Sequence, residues 1–260
     1  MPTLQRVRKQ ARGVRCQANL KQWGTILATY TVENNGLLPW WRMSEDDRGS
    51  AWYWGERTGF YDGSRFIPYD PPRWSTGKNK GILSCPTAKT PANTTGEGNS
   101  TGGTFIAWGL GPQADAQQSP LLRGFGSYGH NAALGGLPDK TSEKQRNLRP
   151  QDIKHPANVT VFMDSAWLEG WFSSEVDPPP AFDAVPTYNP APLGWNSFCM
   201  NRHDGSVNGL FLDWSVRKVG LKELWTITWS RGFNTGGPWT RRGGVQPEDW
   251  PEWMRGFKDY

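Results

Sequence analysis

The sequence contains few of the residues from which most metal and catalytic sites are built. It has three cysteines and three histidines, and no two cysteines are spaced as a C-x-x-C metal or redox motif. It has no G-x-S-x-G nucleophile elbow, and the glycine-rich segment 96–103 lacks the lysine of a phosphate-binding loop. These absences argue against a serine hydrolase or a nucleotide-dependent enzyme, and we expect the protein not to be an enzyme.

Long apolar runs are also missing. No stretch approaches the ~18 consecutive apolar residues that span a bilayer, and the opening decapeptide MPTLQRVRKQ lacks the apolar segment of a signal peptide. The first fifteen residues carry no acid and five bases, namely Arg6, Arg8, Lys9, Arg12 and Arg15. Such a run can be a solvated helix face or can bind an anionic surface. Because the whole chain has only 29 basic against 24 acidic residues, we expect no nucleic-acid partner.

Tryptophan, glycine and proline are abundant instead. The chain has 16 tryptophans, 31 glycines and 21 prolines. Glycine and proline divide a chain into short elements, and indole rings bury a large apolar area per residue. We therefore expect short strands and long ordered loops packed by indoles. The alternative is a carbohydrate-binding module in which exposed tryptophans stack on sugar rings, and the exposure of the indoles distinguishes the two.

Residues 3–34 form the clearest predicted element, a helix ended by Asn34-Asn35-Gly36. Its apolar residues form two stripes on different faces. The first stripe consists of Leu4, Val7, Ala11, Val14 and Ala18, and the second of Cys16, Leu20, Trp23, Ile26, Leu27 and Tyr30. Two faces indicate that the second half lies on its own domain while the first half is available for another contact.

Beyond the helix the patterns predict short strands at 81–86, 104–110, 126–131 and 159–164. A hairpin over 198–218 is predicted to turn at Asp204-Gly205, a favoured turn dipeptide. The segment 221–260 is rich in aromatics, so we expect it to pack back onto the domain.

Several of these segments resemble bacterial type IV pilin-like proteins of the H-x9-DG pseudopilin group. Cys16-Gln17-Ala18-Asn19-Leu20-Lys21-Gln22 and the turn before Pro39 are similar to the stretch that follows the pilin membrane helix. The segment from Arg202-His203 to Asp213 is similar to the motif that names the group, with Trp214 where the group has glycine. Leu83-Ser84-Cys85-Pro86 and Ser127-Tyr128-Gly129-His130-Asn131 resemble two intervening elements.

The resemblance implies an α+β fold with a long N-terminal helix packed on an antiparallel sheet. It divides the chain into a pilin-type helix at 1–36, a globular head at 37–220 and a Trp-rich extension at 221–260. It also implies a leader and a membrane helix that this sequence does not contain, so we expect a truncated product of a membrane-anchored, extracytoplasmic protein. The expected function is that of a structural subunit in a type IV pilus-like filament or a type II secretion pseudopilus.

Partners and cofactors follow from the same resemblance. Other pilin or pseudopilin subunits are the expected partners, through an assembly face formed by Leu4, Val7, Ala11 and Val14, and polysaccharide is a further candidate. We expect no cofactor. Calcium is kept as an alternative, because some pseudopilins have a loop calcium site and Glu175, Asp177 and Asp183 offer hard oxygen ligands.

The remaining site residues are expected to have structural roles. Arg202, His203 and Asp213 are predicted to form a buried hydrogen-bond network that fixes the hairpin. The alternative is a metal-dependent hydrolase around His203 and Asp213, for which His130 or Asp164 would supply a third ligand. Cys16 and Cys85 are predicted to form a disulfide, because Cys16 is on the stripe facing the domain and Cys85 ends a short strand, which leaves Cys199 as a buried free thiol.

Overall fold

The computed structural model describes residues 2–33, 35–36, 82, 84–88, 90–91, 100–110, 124–131, 134, 153–167, 169–170, 175–185, 194–230 and 232–260. In these residues the fold is α+β, as expected: helix α1 (Pro2–Glu33) lies against a mainly antiparallel sheet. Residues 37–81, 92–99 and 186–193, where we expect loops from the glycine and proline content, are outside the described residues.

Helix α1 ends where the asparagine and glycine residues predict. Asn35 and Gly36 both have positive φ, at 57° and 82°. The Gly36 N–H donates to the Thr31 carbonyl at 2.6 Å, which is the hydrogen bond that closes a helix C-terminus of this type. Gly24 lets the helix approach the sheet, because a Cβ there would lie 2.9 Å from Leu210 Cδ1. Among the helices of the described residues, none has both the length and the apolar content needed to span a bilayer.

The main sheet has five strands. They are β4 (Tyr128–Asn131), β5 (Thr160–Asp164), β6 (Glu169–Gly170), β7 (Ser206–Phe211) and β8 (Val216–Gly220), in the order β6-β4-β5-β7-β8. Only the β4–β6 pair is parallel. The register between β5 and β7 shifts between Thr160 and Phe162, which is a β-bulge.

A smaller sheet lies beside it. It consists of β1 (Thr90–Pro91), β2 (Ile106–Leu110) and β3 (Gly124–Gly126), with β1 parallel and β3 antiparallel to β2. The predicted strands at 104–110 and 159–164 are thus present with shifted ends, whereas the predicted strand at 126–131 is divided at Ser127 between β3 and β4, which belong to different sheets. The prediction of a strand at 81–86 is wrong for its described part, because residues 84–88 form a turn closed by the Ala88 N–H and the Cys85 carbonyl at 3.0 Å.

The predicted hairpin has a different connection. The Asp204-Gly205 turn forms, with φ of 52° and 77°, and the His203 N–H donates to the Ser206 carbonyl. The segment before it contains a 3-10 helix (Gly194–Ser197) and is not a strand. The hairpin partner of β7 is β8, and the two strands are joined through residues 212–215. Trp214 has φ of 65° in this connection, so the turn keeps a left-handed residue without glycine.

The sheet separates two cores. The α1-side core joins the helix stripe to side chains such as Phe162, Leu210 and Leu212. The C-terminal core joins the other face to the segment 221–260, through residues such as Trp225, Trp229, Trp250 and Met254. Alternation along β7 explains the division, since Val207 and Phe211 face one core and Leu210 faces the other.

The described tryptophans belong mostly to these interiors. Six of them, Trp23, Trp167, Trp195, Trp225, Trp229 and Trp250, are buried. The other four, Trp108, Trp214, Trp239 and Trp253, are half-buried, and none of the indoles in the described ranges is exposed. The indoles that the structure describes therefore serve mainly to pack the interior.

Candidate functional site

Four side chains that can bind a metal meet beneath helix α1. Cys16 comes from the helix, Cys85 from the turn at 84–88, Asp164 from the end of β5 and His203 from the residue before the Asp204-Gly205 turn. One ligand atom of each lies within 4.8 Å of those of the other three, and all four residues are buried. We call Cys16, Cys85, Asp164 and His203 the four-residue cluster. Among the described residues it is the one such group.

Asp164 is the centre of the contacts. Its Oδ2 lies 3.1 Å from His203 Nε2 and accepts a hydrogen bond of 2.8 Å from the Asn208 N–H. Its Oδ1 lies 3.2 Å from Arg202 Nη1. The Cys16 thiol lies 3.4 and 3.5 Å from the two oxygens. The side chain of Asp164 is completely buried, so every one of these contacts acts without competition from water.

Arg202 binds the cluster through the Asp164 carboxylate. Its guanidinium is also completely buried and donates to four backbone carbonyls in addition to Asp164. The acceptors are the carbonyls of Gly103, Thr104, Ser127 and Ser165. A guanidinium presents five N–H donors in a fixed plane, and here five hydrogen bonds fix both its position and that of the carboxylate.

The cysteines complete the cluster on the side of the helix. Cys85 Sγ lies 3.4 Å from His203 Nε2. Tyr128 donates a hydrogen bond of 3.3 Å from its hydroxyl to Cys16 Sγ. The Cys85 N–H is bonded to the Ser127 hydroxyl. Ser127 and Tyr128 therefore hold the two thiol-bearing segments against the end of β4.

Burial and ion pairing have opposite effects on the pKa of Asp164, and likewise on the pKa of His203. Burial by itself raises the pKa of Asp164, but His203, Arg202 and the Asn208 N–H lower that pKa to about 2. Burial by itself lowers the pKa of His203, but the Asp164 carboxylate and then Cys85 raise it to about 9. The two residues therefore form a charged, buried pair when the cluster holds no metal.

The thiols of Cys16 and Cys85 differ in pKa. Burial, aided by the neighbouring Cys85 and Asp164, raises the pKa of Cys16 well above its usual value. Burial also acts to raise the pKa of Cys85, but hydrogen bonds with Cys16 and His203 outweigh it and lower that pKa to about 6. Cys85 is thus the more acidic thiol and can form a thiolate beside the His203 imidazolium.

Access to this thiolate is restricted. Cys85 is 1% exposed and His203 is 7% exposed. A cavity of about 390 Å³ beside the N-terminal half of α1 has His203 in its wall, together with Lys9, Arg12 and Lys218. Cys85 does not line it. Nucleophilic attack on a substrate requires the sulfur to be reachable, so the arrangement is suited to holding groups in place or binding an ion.

The predicted network of Arg202, His203 and Asp213 is wrong in its third member. Asp213 is exposed, and its Oδ1 accepts hydrogen bonds from the Ser215 N–H and hydroxyl within the β7–β8 turn. Asp164 occupies the role expected of Asp213. The hydrolase alternative around His203 and Asp213 loses its ligand pair for the same reason.

The predicted calcium ligands do not form a group. Asp183 Oδ1 accepts hydrogen bonds from the Thr104 hydroxyl and the N–H groups of Ala184 and Asn201, so it fixes a loop. Glu175, Asp177 and Asp183 do not meet as a metal-ligand set in the part of the chain that the structure describes.

The structure brings the predicted cysteine pair together. Cys16 and Cys85 both belong to the four-residue cluster, yet all three cysteines are free thiols. The disulfide that we predicted is therefore not formed here, although its two partners are neighbours. Cys199 is buried in the C-terminal core, with its sulfur 3.9 Å from Met254 Sδ.

The two helix stripes have different environments. Cys16, Leu20, Trp23, Leu27 and Tyr30 are buried against the sheet. The predicted assembly face is open to solvent: Leu4 is 48% exposed, Val7 53% and Val14 65%, and Ala11 is exposed as well. The second stripe is buried while the first is exposed because the two stripes lie on different faces of the helix.

Sequence reasoning named every member of the four-residue cluster but did not connect them. Cys16 and Cys85 were paired with each other, His203 with Asp213, and Asp164 entered as an optional third ligand. Tyr128 and Ser127 were noted only as part of a motif. One signal was available, since Asp164 is the one charged residue of the otherwise mostly apolar segment 159–164, and a buried acid there requires partners.

No protein-family model, no curated protein and no solved structure matches this chain.

Proposed function

We propose that this protein is a structural subunit of a type IV pilin-like assembly, a filament or a type II secretion pseudopilus, and acts outside the cytoplasm. The observation that carries the proposal is the division of helix α1. Its C-terminal half is packed on the sheet of its own domain, and its N-terminal half presents an apolar stripe to solvent.

Burial of the exposed stripe in repeated helix contacts would contribute substantially to the free energy of assembly. Full burial of a valine or leucine side chain contributes about 1.5–3 kcal/mol, and Leu4, Val7 and Val14 are each about half exposed or more. One helix contact would therefore add only a few kcal/mol. An assembly in which every helix touches several others multiplies this gain, and we propose other copies of this chain as the occupants of the stripe.

The convergence of the resembling segments supports the proposal. Cys16, Cys85, Tyr128 and Arg202-His203 belong to four separate segments that are similar to pilin-like proteins. Cys16, Arg202 and His203 contact Asp164 directly, Cys85 contacts His203 and Tyr128 contacts Cys16. A chance resemblance spread over about 190 residues would have no reason to meet at one buried point. The same contacts fasten α1 to the sheet through Cys16.

The test compares two valines of the same helix. Val7 is on the proposed assembly stripe, and Val32 is a highly exposed valine at the other end, 84% exposed. We expect Val7→Asp to abolish assembly in producing cells, because a carboxylate would be buried between helices. Val32→Asp should assemble as the wild type does. Assembly is measured by electron microscopy of cell surfaces and by crosslinking of adjacent subunits.

Folding is controlled separately. Both valines are solvent-exposed, so each substitution should change the free energy of unfolding by less than about 0.5 kcal/mol. If wild-type subunits do not crosslink to one another, or if Val7→Asp and Val32→Asp assemble equally well, the proposal is wrong.

A further inference from the structure

We propose that Cys16, Cys85, Asp164 and His203 bind one zinc ion in a closed, tetrahedral, structural site. The inference is independent of the proposed function, because it concerns how the head is held together and applies to any use of the fold.

Several distances in the four-residue cluster are close to those between the ligand atoms of a tetrahedral zinc ion, and all four ligand atoms lie within 4.8 Å of one another. Zinc bonds of about 2.3 Å to sulfur and about 2.0 Å to nitrogen and oxygen place neighbouring ligand atoms about 3.3–3.8 Å apart. The observed separations are 3.4 and 3.5 Å from Cys16 Sγ to the Asp164 oxygens and 3.4 Å from Cys85 Sγ to His203 Nε2. His203 Nε2 and Asp164 Oδ2 are 3.1 Å apart. Only small movements would bring all four atoms to bonding distance of one central ion.

The ligand chemistry favours zinc over calcium and magnesium. Two thiolates, one imidazole and one carboxylate form a soft to borderline set, whereas calcium and magnesium require oxygen ligands. Four protein ligands leave no open position for water or substrate, which is the property of structural zinc sites. Burial also favours a closed structural site, since Cys16 and Asp164 have no exposed surface.

The charges also balance. Two thiolates and the Asp164 carboxylate would be neutralised by the divalent ion and the Arg202 guanidinium, with His203 neutral. A neutral assembly is what a buried site requires. Zinc binding releases the protons carried by the thiols and by His203 Nε2, and no electrons are transferred.

The surroundings fix the ligands in advance. Arg202 holds Asp164 Oδ1 at 3.2 Å and the Asn208 N–H holds Oδ2 at 2.8 Å. The Tyr128 hydroxyl contacts Cys16 Sγ at 3.3 Å. Such outer contacts orient ligands and strengthen metal affinity. The ion would join four segments that are far apart in sequence and fasten helix α1 to the sheet.

A disulfide between Cys16 and Cys85 is the competing state. It would consume both sulfurs in a two-electron oxidation that needs an external oxidant, and it would leave Asp164 and His203 as a salt bridge. The structure has both as free thiols, and their contacts with Asp164 and His203 are those expected of ligands.

The experiment uses the full chain purified under reducing conditions without added chelator. Metal analysis and native mass spectrometry should find one zinc per chain. Removal of zinc by a chelator should lower Tm, and returning one equivalent of Zn²⁺ should restore it. Replacement by Co²⁺ should give the visible absorption of tetrahedral cobalt together with a thiolate charge-transfer band.

Variants separate binding from general damage. Cys16→Ser and Cys85→Ser should each weaken zinc binding at least 100-fold, because each removes a ligand. Cys199→Ser is the matched control, since Cys199 is also buried but lies in the C-terminal core, and it should bind zinc as the wild type does. If a serine variant fails to fold, the cobalt spectrum of the wild type still reports the thiolate ligands.

Three results would overturn the proposal. The first is a wild-type protein that takes up no zinc after reconstitution. The second is zinc binding that Cys16→Ser and Cys85→Ser leave unchanged. The third is a chain whose mass is lower by two hydrogens and whose Cys16 and Cys85 are joined by a disulfide even when it is isolated under reducing conditions.

Discussion

The buried ion pair between Asp164 and Arg202 offers the sharpest test of how the fold is stabilised beneath helix α1. Asp164→Asn keeps the shape of the side chain and removes its charge. The change leaves the Arg202 guanidinium buried without a carboxylate, and both side chains have no exposed surface. Breaking a buried pair by neutralising one partner costs about 3–5 kcal/mol, because the other charge remains uncompensated.

A second ion pair of nearly the same length serves as the control. Lys9 Nζ and Asp204 Oδ1 are 3.1 Å apart, against 3.2 Å for Arg202 and Asp164, but the side chains of Lys9 and Asp204 are 64% and 74% exposed. An exposed pair contributes about 0–1 kcal/mol. Asp204→Asn should therefore cost little, and asparagine also tolerates the positive φ at that position.

Urea unfolding of both variants, in a chelating buffer so that metal occupancy plays no part, gives the two free energies directly. For a chain of this size the loss at Asp164 corresponds to a fall of roughly 10 °C in Tm. Equal costs for the two variants, or a cost below about 1 kcal/mol for Asp164→Asn, would refute the view that this pair is a buried, fully formed interaction.

Two further predictions concern the same region. The pKa of Asp164 is lowered from 3.8 to about 2 in the folded protein, so the ionised carboxylate stabilises the fold above pH ~4 by about 2.5 kcal/mol. This stability should be lost as pH falls from about 4 to about 2, and acid unfolding of Asp164→Asn should lack this step. A wild type that unfolds at the same pH as the variant would contradict the assignment. Gly129→Ala should destabilise by at least about 1–3 kcal/mol, because a Cβ at Gly129 would lie 2.3 Å from the Trp167 carbonyl oxygen, whereas Gly232→Ala meets no atom within 4 Å and should be neutral. Thermal unfolding of the two alanine variants measures the difference, and similar Tm values would show that the backbone at Gly129 has room to move.

Local patterns in the sequence were sufficient for the elements that depend on neighbours along the chain. The helix over 3–34, its end at Asn35-Gly36 and the strand at 160–164 follow from period, cap and composition, since these properties involve residues close in sequence. The two helix stripes likewise predicted which half of α1 is buried, because a 3.6-residue period converts sequence positions into faces.

The hairpin shows where this reasoning fails. Asp204-Gly205 forms the turn that its residue types favour, but the choice of partner for β7 is a long-range property. Strand β7 pairs with β5 and β8, and neither pairing is visible in the turn itself. Asp213 was therefore placed opposite His203, whereas it lies in the exposed β7–β8 turn and bonds to Ser215.

Which residues form the four-residue cluster also depends on tertiary contacts and could not be predicted from local sequence. The bulge in β5 lets adjacent residues, Val161 and Phe162, both enter the α1-side core, so simple alternation does not predict which face Asp164 occupies. The sequence by itself indicated that Cys16, Cys85 and His203 belong to the interior, but it paired Cys16 with Cys85 and His203 with Asp213. The tertiary structure decided that the members of the four-residue cluster are one another's partners, because only folding brings residues 16, 85, 164 and 203 to the same point beneath the helix.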